Sequence, residues 1–246
     1  LVNTDGGLDS WVDYSFDGRP IIIRSGVVGA AYPAGFTIVF QGTMEGFETT
    51  FDKAIISLRD KQFLFDLPVL TTLYAGSNVL PNGLEGVEDI KGTQKPRVYG
   101  KVYNISPVFI NTSKLTYQVS DGAVQAISAV YDKGAAFTPG ADFANSTLLQ
   151  AAAPAAGTYI TCLAEGMFRL GTTPAGTITA DVTQGAAAGN RTVAQIVKAL
   201  GLAAGLSSGE ISASDVTALD VLNSNVVGVY LEGDVTFQSA IDMLVN

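Results

Sequence analysis

Apolar residues recur with a period of two through most of the chain as far as Val182, and with a period of 3.6 from residue 190 onward. A period of two sends alternate side chains to opposite faces of a strand, whereas 3.6 gathers them on one side of a helix. The change of period restricts the chain to an α+β arrangement: β-rich antiparallel barrel or sandwich modules followed by a smaller helical or mixed C-terminal region. The clearest strand pattern is TITADV at 177–182. Ile178, Ala180 and Val182 share one face there, and Thr177, Thr179 and Asp181 share the other.

Three regions follow from the punctuation between these patterns. Residues 1–75 predict an antiparallel β module. WVDYSF (11–16), an Asp17-Gly18 turn and PIIIR (20–24) form an expected hairpin, and FTIVFQ (36–41), TMEGF (43–47) and KAIISLR (53–59) bring the count to about five strands ending near Pro68. Residues 76–185 predict a second β-rich module entered through a Gly-, Asn- and Pro-rich excursion at 74–95, with strands at 97–99, 115–119 and 124–131. A turn at Ser120-Asp121-Gly122 joins the last two. A short helix at 146–152 is expected to stop before Pro154, and strands at 159–163, 167–170 and 177–182 follow, the last entered through Pro174-Ala-Gly176.

Residues 186–246 predict a mixed α/β region. Val193, Ile196, Val197 and Leu200 form a helical stripe, with Asn190 placed to cap it. Ser212 and Asp215 fit a capping box before a second helix. A strand at 226–231 and a helix capped by Thr236 complete the region. Leu1 in place of an initiating Met, and an apolar pattern that runs on without a C-terminal cap, suggest a piece of a longer chain. No secretory leader pattern is visible. The uncharged stretch at 143–164 is interrupted by Pro154, Gly157 and several hydroxyl and amide side chains, so no membrane span is expected there.

Composition narrows the chemistry. The chain has no histidine and one cysteine, which removes intrachain disulfides and zinc sites built from His and Cys. Cys162 lies in the apolar run TYITCLA and is expected to act as a small buried hydrophobe. The net charge is −9, which works against a phosphate backbone. The basic stretch at 91–101 follows Glu85, Glu88 and Asp89 and reads as a solvated loop.

Gly205-Leu-Ser207-Ser-Gly209 matches the nucleophile elbow of α/β-hydrolases. That chemistry needs a strand before the serine and a histidine base, and here a helix precedes the motif and histidine is absent. No Ser-x-x-Lys, Walker A or G-x-G-x-x-G pattern occurs.

Carboxylates are the remaining acid/base candidates. Glu45 with Glu48, or Glu165 with Asp181, would serve a glycosidase at the right separation. Asp5, Asp9 and Asn3 would serve a calcium ion, but without the spacing of an EF-hand loop. Asp9, Asp13 and Asp17 recur every four residues, as repeats of a wet strand face. The sequons at Asn104, Asn111, Asn145 and Asn190 read as turn and cap chemistry. No catalytic, cofactor-binding or metal-binding residue is assigned and no cofactor is expected.

The strings GLDSWVDYSFDGRPIIIRSG, FQGTMEGFETTFDKAIISLRDKQFLFDLPVLTTLYAG, GLEGVEDIKGTQKPRVYGKVYNISPVFINTSKLTYQVSDG and GMFRLGTTPAGTITADVTQG resemble tail-region proteins of tailed bacteriophages and prophages. KPRVYG, YQVSDG and FRLGTTPAGTITADV are the most specific of these, and none is tied to a reaction. The resemblance implies a non-enzymatic structural protein of the distal tail, similar to minor tail or baseplate-hub proteins. It implies a place in the virion tail, with the bacterial cytoplasm as the site of assembly. Other tail proteins and further copies of the chain are the implied partners; nucleic acid is not expected among them, given the net charge of −9.

Two other classes compete. Trp11, Tyr14, Phe16, Tyr99, Tyr103 and Tyr117 would suit a carbohydrate- or host-receptor-binding module, against core packing as their ordinary role. A carboxylate pair would suit an enzyme acting on cell-wall polymers.

Overall fold

The computed structural model describes residues 1–50 and 52–245. Two compact units are present, Leu1–Leu64 and Phe65–Asn246.

The first unit holds three antiparallel strands, β1 (Pro20–Gly26), β2 (Phe36–Thr49) and β3 (Ala54–Arg59), in the order β1-β2-β3. This is fewer than the expected five, for two reasons. The runs at 36–41 and 43–47 form one continuous strand, which absorbs a register shift between Met44 and Gly46. The run at 11–16 is no strand: Asp9–Asp13 form a 3-10 turn. Local polar chemistry overrides the alternation there, because buried Asn3 accepts from the Leu8 amide at 2.8 Å and donates to Asp9 Oδ1 at 2.6 Å. Phe16 then stacks on both Trp11 and Phe47, with Phe16 and Phe47 centroids 4.6 Å apart, and Trp11 meets Phe47 tilted.

The second unit contains two five-stranded sheets. Its strands are β4 (Arg97–Ile105), β5 (Val108–Asn111), β6 (Thr116–Gln118), β7 (Ala126–Asp132), β8 (Ala135–Ala136), β9 (Thr138–Asp142), β10 (Thr158–Cys162), β11 (Met167–Leu170), β12 (Ile178–Thr183) and β13 (Gly228–Leu231). One sheet runs β5-β6-β11-β10-β9 and the other β13-β4-β12-β7-β8. All pairs are antiparallel except β9 with β10. Tyr117, Tyr159 and Phe168 from the first sheet meet Val130, Ala180 and Val182 from the second in a single core. Burial of each large side chain contributes about 2 kcal/mol. The expected inward face of β12 is buried as read: Ile178, Ala180 and Val182.

Two expected strand–turn–strand connections are crossings between sheets. After β6, the Val124 amide bonds to Leu163 O and the Gln125 amide to Thr183 O, which hands the chain from one sheet to the other. After β11, the Asp132 carboxylate at the end of β7 accepts the Ala175 and Gly176 amides at 2.5 and 2.8 Å. The Pro174-Gly176 turn therefore docks β12 beside β7, away from β11.

A second apolar cluster lies on the other side of the β10–β11 region, where Tyr74, Ile110, Leu149, Ile160, Cys162 and Met167 pack together. It is covered by α1 (Ser146–Ala151), capped by Asn145 Oδ1 through the Leu148 amide, and by the excursion at 74–95. That excursion is ordered by side chains. Asn78 accepts from the Glu85 amide and donates to Ile110 O, and buried Asn111 donates to Pro81 O and Gly83 O.

The C-terminal helices are α2 (Val193–Ala203), α3 (Ala213–Leu222) and α4 (Phe237–Val245). Thr192 caps α2, whereas Asn190, the expected cap, serves the preceding 3-10 turn by accepting the Ala187 amide. Ser212 and Thr236 cap α3 and α4 as expected. β13 pairs with β4, so this region shares a sheet with the β-rich part of the unit.

Candidate functional site

The residues with catalytic potential are dispersed, and most have structural duties. Glu165 Oε1 accepts the Ser146 amide at the start of α1. Asp181 accepts from the Asn104 amide at 2.9 Å and the Tyr131 hydroxyl at 3.1 Å, tying β12 to β4 and β7. These two carboxylates belong to different sheets' surroundings and are engaged by different neighbours. Glu45 and Glu48 are both exposed on β2.

Asp5 accepts the Gly7 amide and Asp9 binds Asn3, so the proposed calcium ligands hold the N-terminal turn. Asp17 pairs with Arg59 at 3.6 Å. Among the described residues, no cluster of three or more His, Cys, Asp or Glu side chains is placed to hold a metal ion.

Ser207 sits between α2 and a 3-10 turn at Ser208–Glu210. Its amide and its Oγ both donate to Glu210 Oε2 at 2.8 Å. This geometry caps a turn, and it lacks the strand that presents a nucleophile elbow. Cys162 is buried in the second cluster, where burial pushes its thiol above the usual range. A neutral, enclosed thiol is a poor nucleophile.

The basic stretch is partly neutralised by its neighbours. Lys91 pairs with Glu88 at 2.9 Å and Lys95 with Glu85 at 2.7 Å. Lys95 also lies over the Tyr74 ring and Lys101 over the Tyr103 ring. Of the aromatics, Tyr99 and Tyr117 are buried, while Trp11, Tyr14 and Tyr103 are exposed. Buried Asn111 uses both amide ends internally, accepting the Lys114 amide as well, so its sequon is closed in the folded state.

Two apolar surfaces remain. One is a cleft of about 600 Å³ among α2, α3 and α4, lined by Val197, Leu206, Ile211, Leu219, Ile241 and Leu244. Lys198 and Glu210 also line it, so it is an apolar cleft with one charge of each sign. The other is the β1–β2 hairpin of the first unit, where Val27, Val28, Tyr32 and Val39 are exposed. Sequence reasoning assigned strands at 20–24 and 36–41 but did not single out this hairpin as a surface, because which strand faces are covered depends on their partners. Among the described residues, no helix is long and apolar enough to cross a membrane.

No protein-family model, curated protein or solved structure matches the chain.

Proposed function

We propose that the chain is a non-enzymatic structural component of a bacteriophage or prophage tail, near the distal tail or baseplate hub, acting by protein–protein assembly. The observation that carries this reading is the state of the first unit. Among its described residues, Ala54 is the only fully buried apolar side chain, while Ile22, Ile23, Val27, Val28, Ile38, Val39 and Ile55 are exposed. A three-stranded sheet needs a covered apolar face for stability, and this one leaves apolar side chains uncovered on its strands and its loop, as a surface that packs against another molecule does. The carboxylates support the same reading, since those best placed for catalysis fasten turns and strands. The resemblance carried by KPRVYG, YQVSDG and FRLGTTPAGTITADV supplies the setting, a tail. Immunogold labelling of purified particles with antibodies to the chain should decorate the distal tail; particles that take no label, intact or opened, would count against the reading.

Exposed Trp11 and Tyr14, beside the stacked Phe16 and Phe47, favour a second reading as a carbohydrate- or receptor-binding module of the same particle. Stacking on sugar rings would then shift Trp11 fluorescence. A glycan array without signal removes this alternative.

A further inference from the structure

The longest uncharged run in the first unit is residues 25–44, twenty consecutive positions in a chain of net charge −9. It forms the end of β1, the connecting loop and most of β2. Val27 is 76 % exposed, Tyr32 74 % and Val39 60 %, and Val28 is wholly exposed. The loop is nevertheless held in shape. Ala30 N bonds to Val27 O, Gly35 N to Ala31 O and Phe36 N to Pro33 O, and the Tyr32 and Phe36 rings meet edge to face at 5.5 Å. A preformed loop loses little freedom when it is covered.

The pairing of β2 leaves a vacancy beside this loop. β1 pairs with β2 over Phe36 to Thr43, while β3 pairs only from Thr43 onward. Among the described residues, no strand pairs with the other edge of positions 36–42. That edge, FTIVFQG, has none of the lysines, prolines or inward charges with which monomeric sheets block edge-to-edge pairing.

We infer that the β1–β2 arm is the self-association element of the chain, and that the free edge of β2 and the loop beside it take a second copy. The inference rests on the assembly reading given above and identifies the part that performs it. Charge selects the occupant. Two copies at −9 repel, and an uncharged arm is where they meet at least electrostatic cost. The same acidity disfavours an anionic lipid surface, and Arg24 is the only cation within β1, far short of a polybasic patch. The area fits this occupant. Val27, Val28 and Tyr32 of the loop with Val39 on one face of β2 present on the order of 600 Å², most of the roughly 800 Å² that one partner contributes to a standard interface.

Sedimentation velocity of the full chain across the micromolar range tests this directly. The chain should self-associate reversibly. Val39→Lys and Val28→Lys should each weaken that association at least ~100-fold, as expected for a central contact, with unchanged far-ultraviolet circular dichroism. Two variants guard against one that misfolds. Val221→Lys, on an exposed position of α3, should leave association intact. Association lost in Val221→Lys but kept in both arm variants would overturn the inference, and so would a chain that stays monomeric throughout. Flotation of a monomeric chain with neutral phosphatidylcholine vesicles, abolished by Val28→Lys, would overturn it in favour of lipid. The two readings fail separately. A chain found in purified tails but monomeric alone removes the arm and leaves the tail assignment. A chain that associates through the arm but is missing from particles does the reverse.

Discussion

Tyr74 donates its phenolic hydrogen to Gln118 Oε1 across 2.6 Å, and both side chains are buried. The bond links the excursion at 74–95 to β6 across 44 residues of sequence. Burial pushes the Tyr74 phenol above its ordinary range, which favours the protonated, donating form. Gln118 Nε2 in turn donates to Ser120 O at 3.2 Å. Tyr74→Phe should cost about 1–2 kcal/mol, since it leaves a buried amide oxygen without its donor. Urea denaturation reads this, and a double-mutant cycle with Gln118→Leu should show a coupling; strictly additive effects would contradict the pairing.

Arg169 fixes the end of α1. Its Nη1 donates to Leu149 O, Gln150 O and Ala152 O, and its Nε to Lys114 O at 2.9 Å. Four carbonyls from two segments thus depend on one guanidinium. Arg169→Met should destabilise the second unit by about 2 kcal/mol, and Arg169→Lys should restore only part of that, because an ammonium lacks the planar fork. Equal stability of the Lys variant and the parent would contradict this account.

Two glycines with positive φ separate strain from crowding. At Gly166, φ is +60° and an added Cβ would lie 2.4 Å from Ser120 O; at Gly157, φ is +74° and no atom lies within 4 Å. Gly157→Ala should cost about 1 kcal/mol, the backbone penalty alone. Gly166→Ala should cost clearly more, because Ser120 O belongs to the backbone and has to move. Thermal melts of the two variants give the comparison.

Asp220 of α3 accepts hydrogen bonds from Thr192 Oγ1 and from Gln195 Nε2, the latter at 2.6 Å. The Thr192 bond, then the Gln195 bond, hold its carboxyl below the ordinary range, against the opposing effect of burial. The folded value is therefore lower than the unfolded one. The stabilisation is complete above the unfolded carboxyl's value and is lost as pH falls through the folded value, so it fades from about pH 4 downward. Asp220→Asn should flatten this acid limb in pH-dependent melts of the helical region. An unchanged acid limb would show that the carboxylate contributes nothing to it.

How far sequence reaches depends on whether the deciding interactions are local. α1 was readable because Asn145 and Pro154 bound it within a few residues, and β12 because its alternation matches one buried face. The partners of β12 were not readable. Its neighbours β4 and β7 are set by core packing and by Asp132 gripping the turn after β11, neither of which leaves a local pattern. WVDYSF alternates like a strand, yet Asn3 and Asp9 close a turn in front of it. The β1–β2 arm had the opposite difficulty: its lack of charge is plain in the sequence, but whether Val27, Val28 and Val39 are covered depends on what β3 reaches. β3 stops opposite Thr43.

Quantitative mass spectrometry of purified, induced particles from the strain that encodes the chain would compare its copy number with that of the major tail protein. A fixed, small number of copies per particle is the predicted result, as expected for a tip or hub component. Absence from the particles, or an amount that varies between preparations and washes away, would contradict a structural role in the tail.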